Sequence, residues 1–458
     1  MTTSINPGKA NEELIACSTV KNEDTSELKL PLWKANAWFT VLWAMMLFDV
    51  IDRYALAASL PYIKSAFQLT DAQSGFLGTA FSFSIAVFVI PTAIVAHKWS
   101  RTKVCALMVA AWSLATWGTG LAKGYAALVA ARFSVGVGEA GYMPVSYSLI
   151  SAWYPKSKRG TMMGWFYAAS QVGATVGLMF CGWLVYTYGW QASFGILCVP
   201  GLFLAVLSWF MPDFKNKVNE QVKEIEGEGT KSVLKLGVID AFKYTLKSPA
   251  VLFSFFISGG YMCIGTALTI WGVTLFVRTF GMNVKQATTF IGFIAIIAAI
   301  GPVLLGWMAD YLHKKNKKGR ITASIIMSCG LMLAALLFTQ NSLHAKNLVI
   351  AFITFGLCKS FMSSGIANIN TLTQDLLPPY YRSVSSSFIP IANQIVGGCV
   401  GPVLCGALSD KFGLNMALGY VAAISFVFLM IMTLLCRMFY DRDNEKIERL
   451  GKFDLEKA

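Results

Sequence analysis

Residues 132–141 read Arg132-Phe133-Ser134-Val135-Gly136-Val137-Gly138-Glu139-Ala140-Gly141, two ionisable side chains enclosed in an otherwise apolar run. Seven residues separate them, close to two helical turns, so both project from one face of a helix flanked by small and apolar residues. A charge inside a hydrophobic span is costly and marks an ion or substrate path. Outward from this run, the composition is that of a polytopic membrane protein. The 458 residues are 55% hydrophobic and 14% charged, with a mean hydropathy of +0.57, well away from the values of soluble domains.

Apolar runs of about 20 residues, the length that crosses a bilayer, number roughly twelve. The first six lie near 36–59, 73–96, 103–121, 125–150, 160–186 and 191–211. The second six lie near 250–278, 286–309, 321–339, 347–373, 383–408 and 414–437. Long continuous segments poor in period-two alternation argue against a β-barrel. The expected fold is therefore all-α, with twelve transmembrane helices in two six-helix bundles. Residues 212–249, seven lysines against six acids, read as the linker between a bundle at 35–211 and a bundle at 250–438. Polar tails at 1–34 and 439–458 complete the chain, and the first lacks the basic and apolar regions of a signal peptide.

Short loops on the amino-terminal side (97–103, 155–160, 310–320 and 374–382) carry 12 Lys and Arg, against 6 in the loops opposite. That bias places both termini in the cytoplasm, and the expected setting is a bacterial-type inner membrane crossed many times. It also accounts for the excess of basic residues, 38 Lys and Arg against 24 Asp and Glu, without nucleic acid. The ten cysteines lack C-x-x-C spacing and fall mostly in apolar segments, so they read as small hydrophobes, forming neither a disulfide framework nor a zinc site. No metal, nucleotide or haem motif is present, and no cofactor or enzymatic chemistry is expected. Gly136 and Gly138 lie within a helix and lack the strand and P-loop lysine of a nucleotide site. An ion or solute gradient is then the energy source.

The halves echo one another. Tyr154-Pro155-Lys156-Ser157-Lys158-Arg159 follows the fourth span and Pro378-Pro379-Tyr380-Tyr381-Arg382 the tenth, about 223 residues apart. Gly182 and Gly189 close the fifth span as Gly406 and Gly413 close the eleventh. Two parallel six-helix halves are the pattern of major facilitator carriers. The chain resembles that superfamily, and within it the Spinster family, well over about 40–210 and more loosely beyond. Phe48-Asp49-Val50-Ile51-Asp52-Arg53-Tyr54 is similar to the family's N-x-x-D-R pattern, with Asp49 where asparagine is usual, and 132–140 resembles its R-x-x-x-G-x-G-E-A run. The resemblance implies proton coupling at Asp52 and Glu139. It also implies a gating loop between spans two and three, whose usual Asp is replaced by His97 four residues before Arg101. The loop's counterpart in the second half keeps Asp310. His97 reads either as a pH-sensitive substitute or as a solvated polar residue.

Asp49, Asp52 and Arg53 stand at i, i+3 and i+4, so Asp49 can pair with Arg53 along one helix face while Asp52 has no local partner. Desolvation disfavours a charged carboxyl without a partner, which suits it to load and release protons. Arg132 neutralises Glu139 only if the two side chains reach toward each other. The alternative is a set of static salt bridges tying helices one and four together, which contribute little net stability. Lys359, midway along span ten, has no acid near it in sequence. With Arg53 and Arg132 it favours an organic anion as cargo, and Gln171, Asn368, Asn370, Asn393 and Gln394 are candidates to complete a site by hydrogen bonding or simply to hold helices together.

The reading favoured is a monomeric, proton-coupled symporter of a small organic anion such as a carboxylate, working by alternating access in the lipid bilayer. The alternatives are an exporter of an amphipathic molecule, a lysolipid or drug-like compound, and a carrier-fold ligand sensor. An anion carrier depends on Lys359 and Arg132, an amphiphile exporter on an apolar and aromatic lining.

Overall fold

The computed structural model describes residues 30–213, 245–377 and 388–456. Within them the chain is helical and crosses from one face to the other twelve times. In the first half, span one is Leu32–Phe67, span two Asp71–Lys98 and span three Arg101–Gly120. Span four is divided into Tyr125–Glu139 and Tyr142–Trp153, and spans five and six form one run, Lys156–Trp209, turned at Gly189. In the second half, span seven is Pro249–Phe280 and span eight is divided into Val284–Ala298 and Gly301–Lys315. Span nine is Gly319–Gln340, prolonged by a π-helical turn at Asn341–Ala345, and span ten is Leu348–Asp375. Span eleven runs Phe388–Ala392, a π-helical segment Asn393–Gly398 and Val400–Phe412, and span twelve is Leu414–Glu456. The linker beyond residue 213 and the loop at 378–387 lie outside the described residues.

The repeat seen in the sequence returns in the backbone. Gly189 and Gly413 both take φ +80, which bars most side chains, and each turns the chain from the fifth span of its half into the sixth. The second span of each half also opens on reciprocal caps. The Thr70 hydroxyl accepts from the Gln73 N–H while the Gln73 side chain accepts from Thr70 N–H, and Asn283 and Gln286 repeat the exchange. Each capping box satisfies two of the donors that a helix start leaves unpaired.

The face where span one begins is called here the terminal face and the opposite one the distal face. Each half has its own aromatic interior. Trp112, Tyr142 and Phe166 centre the first, and Tyr261, Trp271, Phe276 and Phe355 the second. The contacts joining the halves lie toward the distal face. The Thr79 hydroxyl donates to the Cys399 carbonyl at 2.7 Å, and Trp271 Nε1 to the Pro402 carbonyl within the second half, beside Gly75 and Gly78 of span two. Thr288 and Met179 likewise fill the positions where Gly182 and Gly292 have no side chain. In lipid such close approach of small residues substitutes for the hydrophobic drive available in water.

Candidate functional site

The run from Arg132 to Gly141 sits where helices approach one another closely. A Cβ on Gly136 would meet the Ser84 hydroxyl and the Phe81 carbonyl, and one on Gly138 would fall 2.5 Å from the Trp112 backbone nitrogen. Without these glycines span four could not lie against spans two and three, and its charges would not reach the interior. The helix then breaks after Glu139, the last residue of the first segment, before Tyr142 restarts it.

Five ionisable side chains converge there. Arg53 Nε donates to Glu139 Oε2 at 2.9 Å, and its Nη2 donates to Asp49 Oδ1 at 3.3 Å and lies 3.1 Å from Oδ2. The two carboxylate side chains are fully buried, whereas Arg53 is 33% exposed and forms the open edge of the cluster. Asp52 accepts from the Thr116 hydroxyl of span three at 3.0 Å. Arg132 is 1% exposed, and its guanidinium lies 5.1 Å from the centre of the Phe81 ring, with that of Arg53 at 5.6 Å from the same ring. The pairing of Asp49 with Arg53 expected from their spacing is present. Arg132 and Glu139 do not hydrogen-bond to one another; the partner of Glu139 comes from span one.

The cluster is incompletely satisfied. Arg132 Nε and Nη1 and Glu139 Oε1 are buried without a hydrogen-bond partner, although Arg132 lies within electrostatic reach of both Glu139 and Asp52, while Asp49 Oδ2 has only its ion-pair contact with Arg53. Each unmade bond of a buried polar group costs about 1–3 kcal/mol. A set of charges serving only to brace helices has no reason to leave donors and acceptors of opposite sign unmatched side by side.

Lys359 is the charge of the second half at this level. Its ammonium donates to the Thr269 hydroxyl of span seven at 2.8 Å, and no carboxylate pairs with it among the described residues. Arg53 lies 14 residues from the distal end of its helix and Lys359 11 from its own. At about 1.5 Å per residue both sit at a similar depth, roughly 16–21 Å from that face. Of the amides, Asn368 is buried and donates to the Arg320 carbonyl at 2.9 Å, so it ties span ten to span nine. Asn370 and Asn393 each keep an unpartnered carbonyl oxygen, and Asn393 and Gln394 open the π-helical segment of span eleven. Gln171 is exposed.

The loop residues occupy two corners of the terminal face. Asp310 pairs with Arg320 at 3.0 Å, and Arg320 Nε donates to Asp375 at 2.8 Å, joining spans eight, nine and ten within the second half. In the first half the Arg101 N–H and the Ser100 hydroxyl both donate to Asp213, which follows span six. A carboxylate thus stands at the start of span three although the loop itself offers His97, whose side chain lies outside the described residues.

Sequence reasoning missed the clasp at the distal face. Asp71 of span two receives Arg278 of span seven, Ser409 of span eleven and Lys64 of span one, while Asp410 accepts from the N–H groups of Asp71 and Ala72 at 2.7 and 2.8 Å. Each residue ends or begins a span, where charges are ordinary, and nothing in the sequence joins them.

Residues 42–402 match the family model described as Major Facilitator Superfamily. The hexuronate transporter of Bacillus subtilis is 23% identical over 80% of this chain and 86% of its own length. The D-galactonate transporter of Escherichia coli is 21% identical over 82% of this chain and 90% of its own. Among solved structures, a bacterial homologue of the human lysosomal transporter Spinster, in an inward-facing and occupied conformation, superposes with a TM-score of 0.73. That match has 18% identity and covers 89% of this chain and 98% of the other, a likeness of fold.

Proposed function

This chain belongs to the major facilitator superfamily, and from that premise we propose that it is a proton-coupled symporter of small organic anions. The observation that carries the reading is the buried cluster of Asp49, Asp52, Arg53, Arg132 and Glu139, with its unmatched donors and acceptors, at about the depth of Lys359, which no carboxylate among the described residues pairs with. The names of two relatives, a hexuronate and a D-galactonate transporter, favour a carboxylate cargo.

In the mechanism proposed, Arg53 and Lys359 receive the anion from opposite halves. Arg53 is the partly exposed member of the cluster, and a carboxylate drawn to its guanidinium competes with Glu139 and Asp49 for the same charge. A carboxylate released in low dielectric takes a proton or turns to the free N–H groups of Arg132. Substrate and proton thereby assist each other's binding, which is the coupling that symport needs. The loop bias supports a cytoplasmic terminal face, so closure at the distal face corresponds to an inward-facing carrier.

The test is uptake into proteoliposomes under an inward proton gradient, with labelled hexuronate, galactonate and other carboxylates, and a lysolipid. Accumulation of a carboxylate that collapses with a protonophore is expected. Movement of the lysolipid alone would replace the reading with amphiphile export.

A further inference from the structure

We infer that this carrier takes up one proton for each negative charge on its substrate, so that a monoanion crosses electroneutrally, and that Asp49 sets this count. The inference rests on the symport reading above and adds its stoichiometry.

The argument is one of charge and place. More than five residues from either end of a span, and leaving aside the polar continuation of span twelve from Arg437 onward, the described spans hold six formally charged side chains: Asp49, Asp52, Arg53, Arg132, Glu139 and Lys359. Three are cations and three are anions. They are unequally divided, because the first half carries two arginines and three carboxylates while the second carries Lys359 alone. Their interior therefore sums to zero when every group is ionised and the site is empty. Other titratable groups near the cluster, Tyr54, Tyr142, Cys181 and Cys198, are hydroxyls and thiols that are ordinarily neutral at pH 7.

Alternating access requires the central site to be closed off from water at some point in each direction, and a net charge enclosed in low dielectric is expensive. The empty carrier meets that condition with all three carboxylates ionised. A monoanion held between Arg53 and Lys359 brings the sum to minus one, and a single proton on one carboxylate restores zero. The gain is also matched half by half, since the anion offsets Lys359 and the proton removes the excess carboxylate of the first half. A dianion requires a second proton by the same arithmetic. Each limb of the cycle then moves no net charge.

Asp49 is the residue on which the count turns. It is fully buried, and its ion-pair partner, Arg53, also holds Glu139, so Arg53 keeps a carboxylate when Asp49 is neutralised. With Asp49→Asn the interior has three cations and two anions, and a monoanion alone brings it to zero. The loaded carrier crosses without a proton, and the empty one returns carrying one positive charge. Uptake becomes net anion entry, driven by an inside-positive potential.

The experiment is steady accumulation of labelled hexuronate or galactonate, whichever the purified carrier takes up under a proton gradient, in proteoliposomes whose potential is clamped with potassium and valinomycin. One charge moved per cycle shifts accumulation about 50-fold per 100 mV. The wild type is expected to accumulate equally at zero and at plus and minus 100 mV, with one proton entering per anion. Asp49→Asn is expected to lose that proton and to gain the 50-fold response to inside-positive potential. A voltage response in the wild type, or an Asp49→Asn carrier that inserts and stays voltage-independent with its proton, would overturn the inference. Should the variant fail to insert, the wild-type clamp decides alone. Absence of proton-driven uptake of any anion at zero potential is a separate result and removes the symport reading itself.

Discussion

Arg278, in the last turn of span seven, donates through Nη1 and Nη2 to the two oxygens of Asp71, the first residue of span two, at 2.8 and 2.9 Å. The pair crosses from one half of the carrier to the other. Asp410 of span eleven adds a second connection by capping the same helix start, where its charge also meets the favourable end of the helix dipole.

Breaking this clasp should release the distal face. Arg278 is 35% exposed and Asp71 5%, so the bidentate pair contributes an amount between that of surface and buried pairs, about 1–2 kcal/mol. Asp71→Asn is expected to shift the balance of open and closed distal faces about five- to thirty-fold toward open. Spin labels at the distal ends of spans two and eleven would report a new long-distance population, and an unchanged distribution would show that the clasp does not hold the face.

Neutralising the other two carboxylates should stop coupling without stopping insertion. Asp52→Asn and Glu139→Gln are each expected to reduce proton-driven uptake at least tenfold, while exchange of labelled for unlabelled substrate across equal pH survives. Full gradient-driven accumulation in both variants would remove these residues from proton coupling.

Lys359→Ala should weaken anion binding. A charge-assisted hydrogen bond contributes about 1.5–3 kcal/mol, so the half-saturating concentration should rise about 10- to 100-fold with little change in maximal rate. An unaltered half-saturating concentration would place the anion elsewhere.

Gly138→Ala should fail as a packing variant. Its new methyl group falls 2.5 Å from the Trp112 backbone nitrogen, whereas one at Gly118 of span three meets nothing within 4 Å. Overpacking of this kind costs about 1–3 kcal/mol. Thermal unfolding in detergent should show a lower transition for Gly138→Ala and none of that loss for Gly118→Ala. Equal transitions would mean that span four can move aside.

Much of the fold was legible in the chain because its signals are local. The twelve apolar runs and the recurring glycines at 189 and 413 need no knowledge of packing. Part of the site was legible too. Asp49 and Arg53 are one turn apart on a single helix, and their pairing follows from helix geometry alone. The partner of Glu139 was not legible, because Arg132, seven residues away, lies over the Phe81 ring of span two while Arg53 reaches Glu139 from another helix. Thr116 and Phe81 were missed for a related reason, since a hydroxyl and a phenyl ring in an apolar span carry no mark of what they face. Asp213 was hidden by distance, standing 112 residues from the backbone N–H of Arg101 that it accepts from.

By itself, then, the sequence determined that this protein lives in a membrane, crosses it twelve times in two like halves and carries charge at its centre. Those properties follow from span length and from the cost of putting ions in hydrocarbon, both functions of local composition. Only the tertiary structure decided which ions meet. Arg53 finds Glu139 across 86 residues and Asp71 finds Arg278 across 207. Such meetings depend on how helices are rotated and how closely their small residues let them approach, and spacing along the chain does not encode either one.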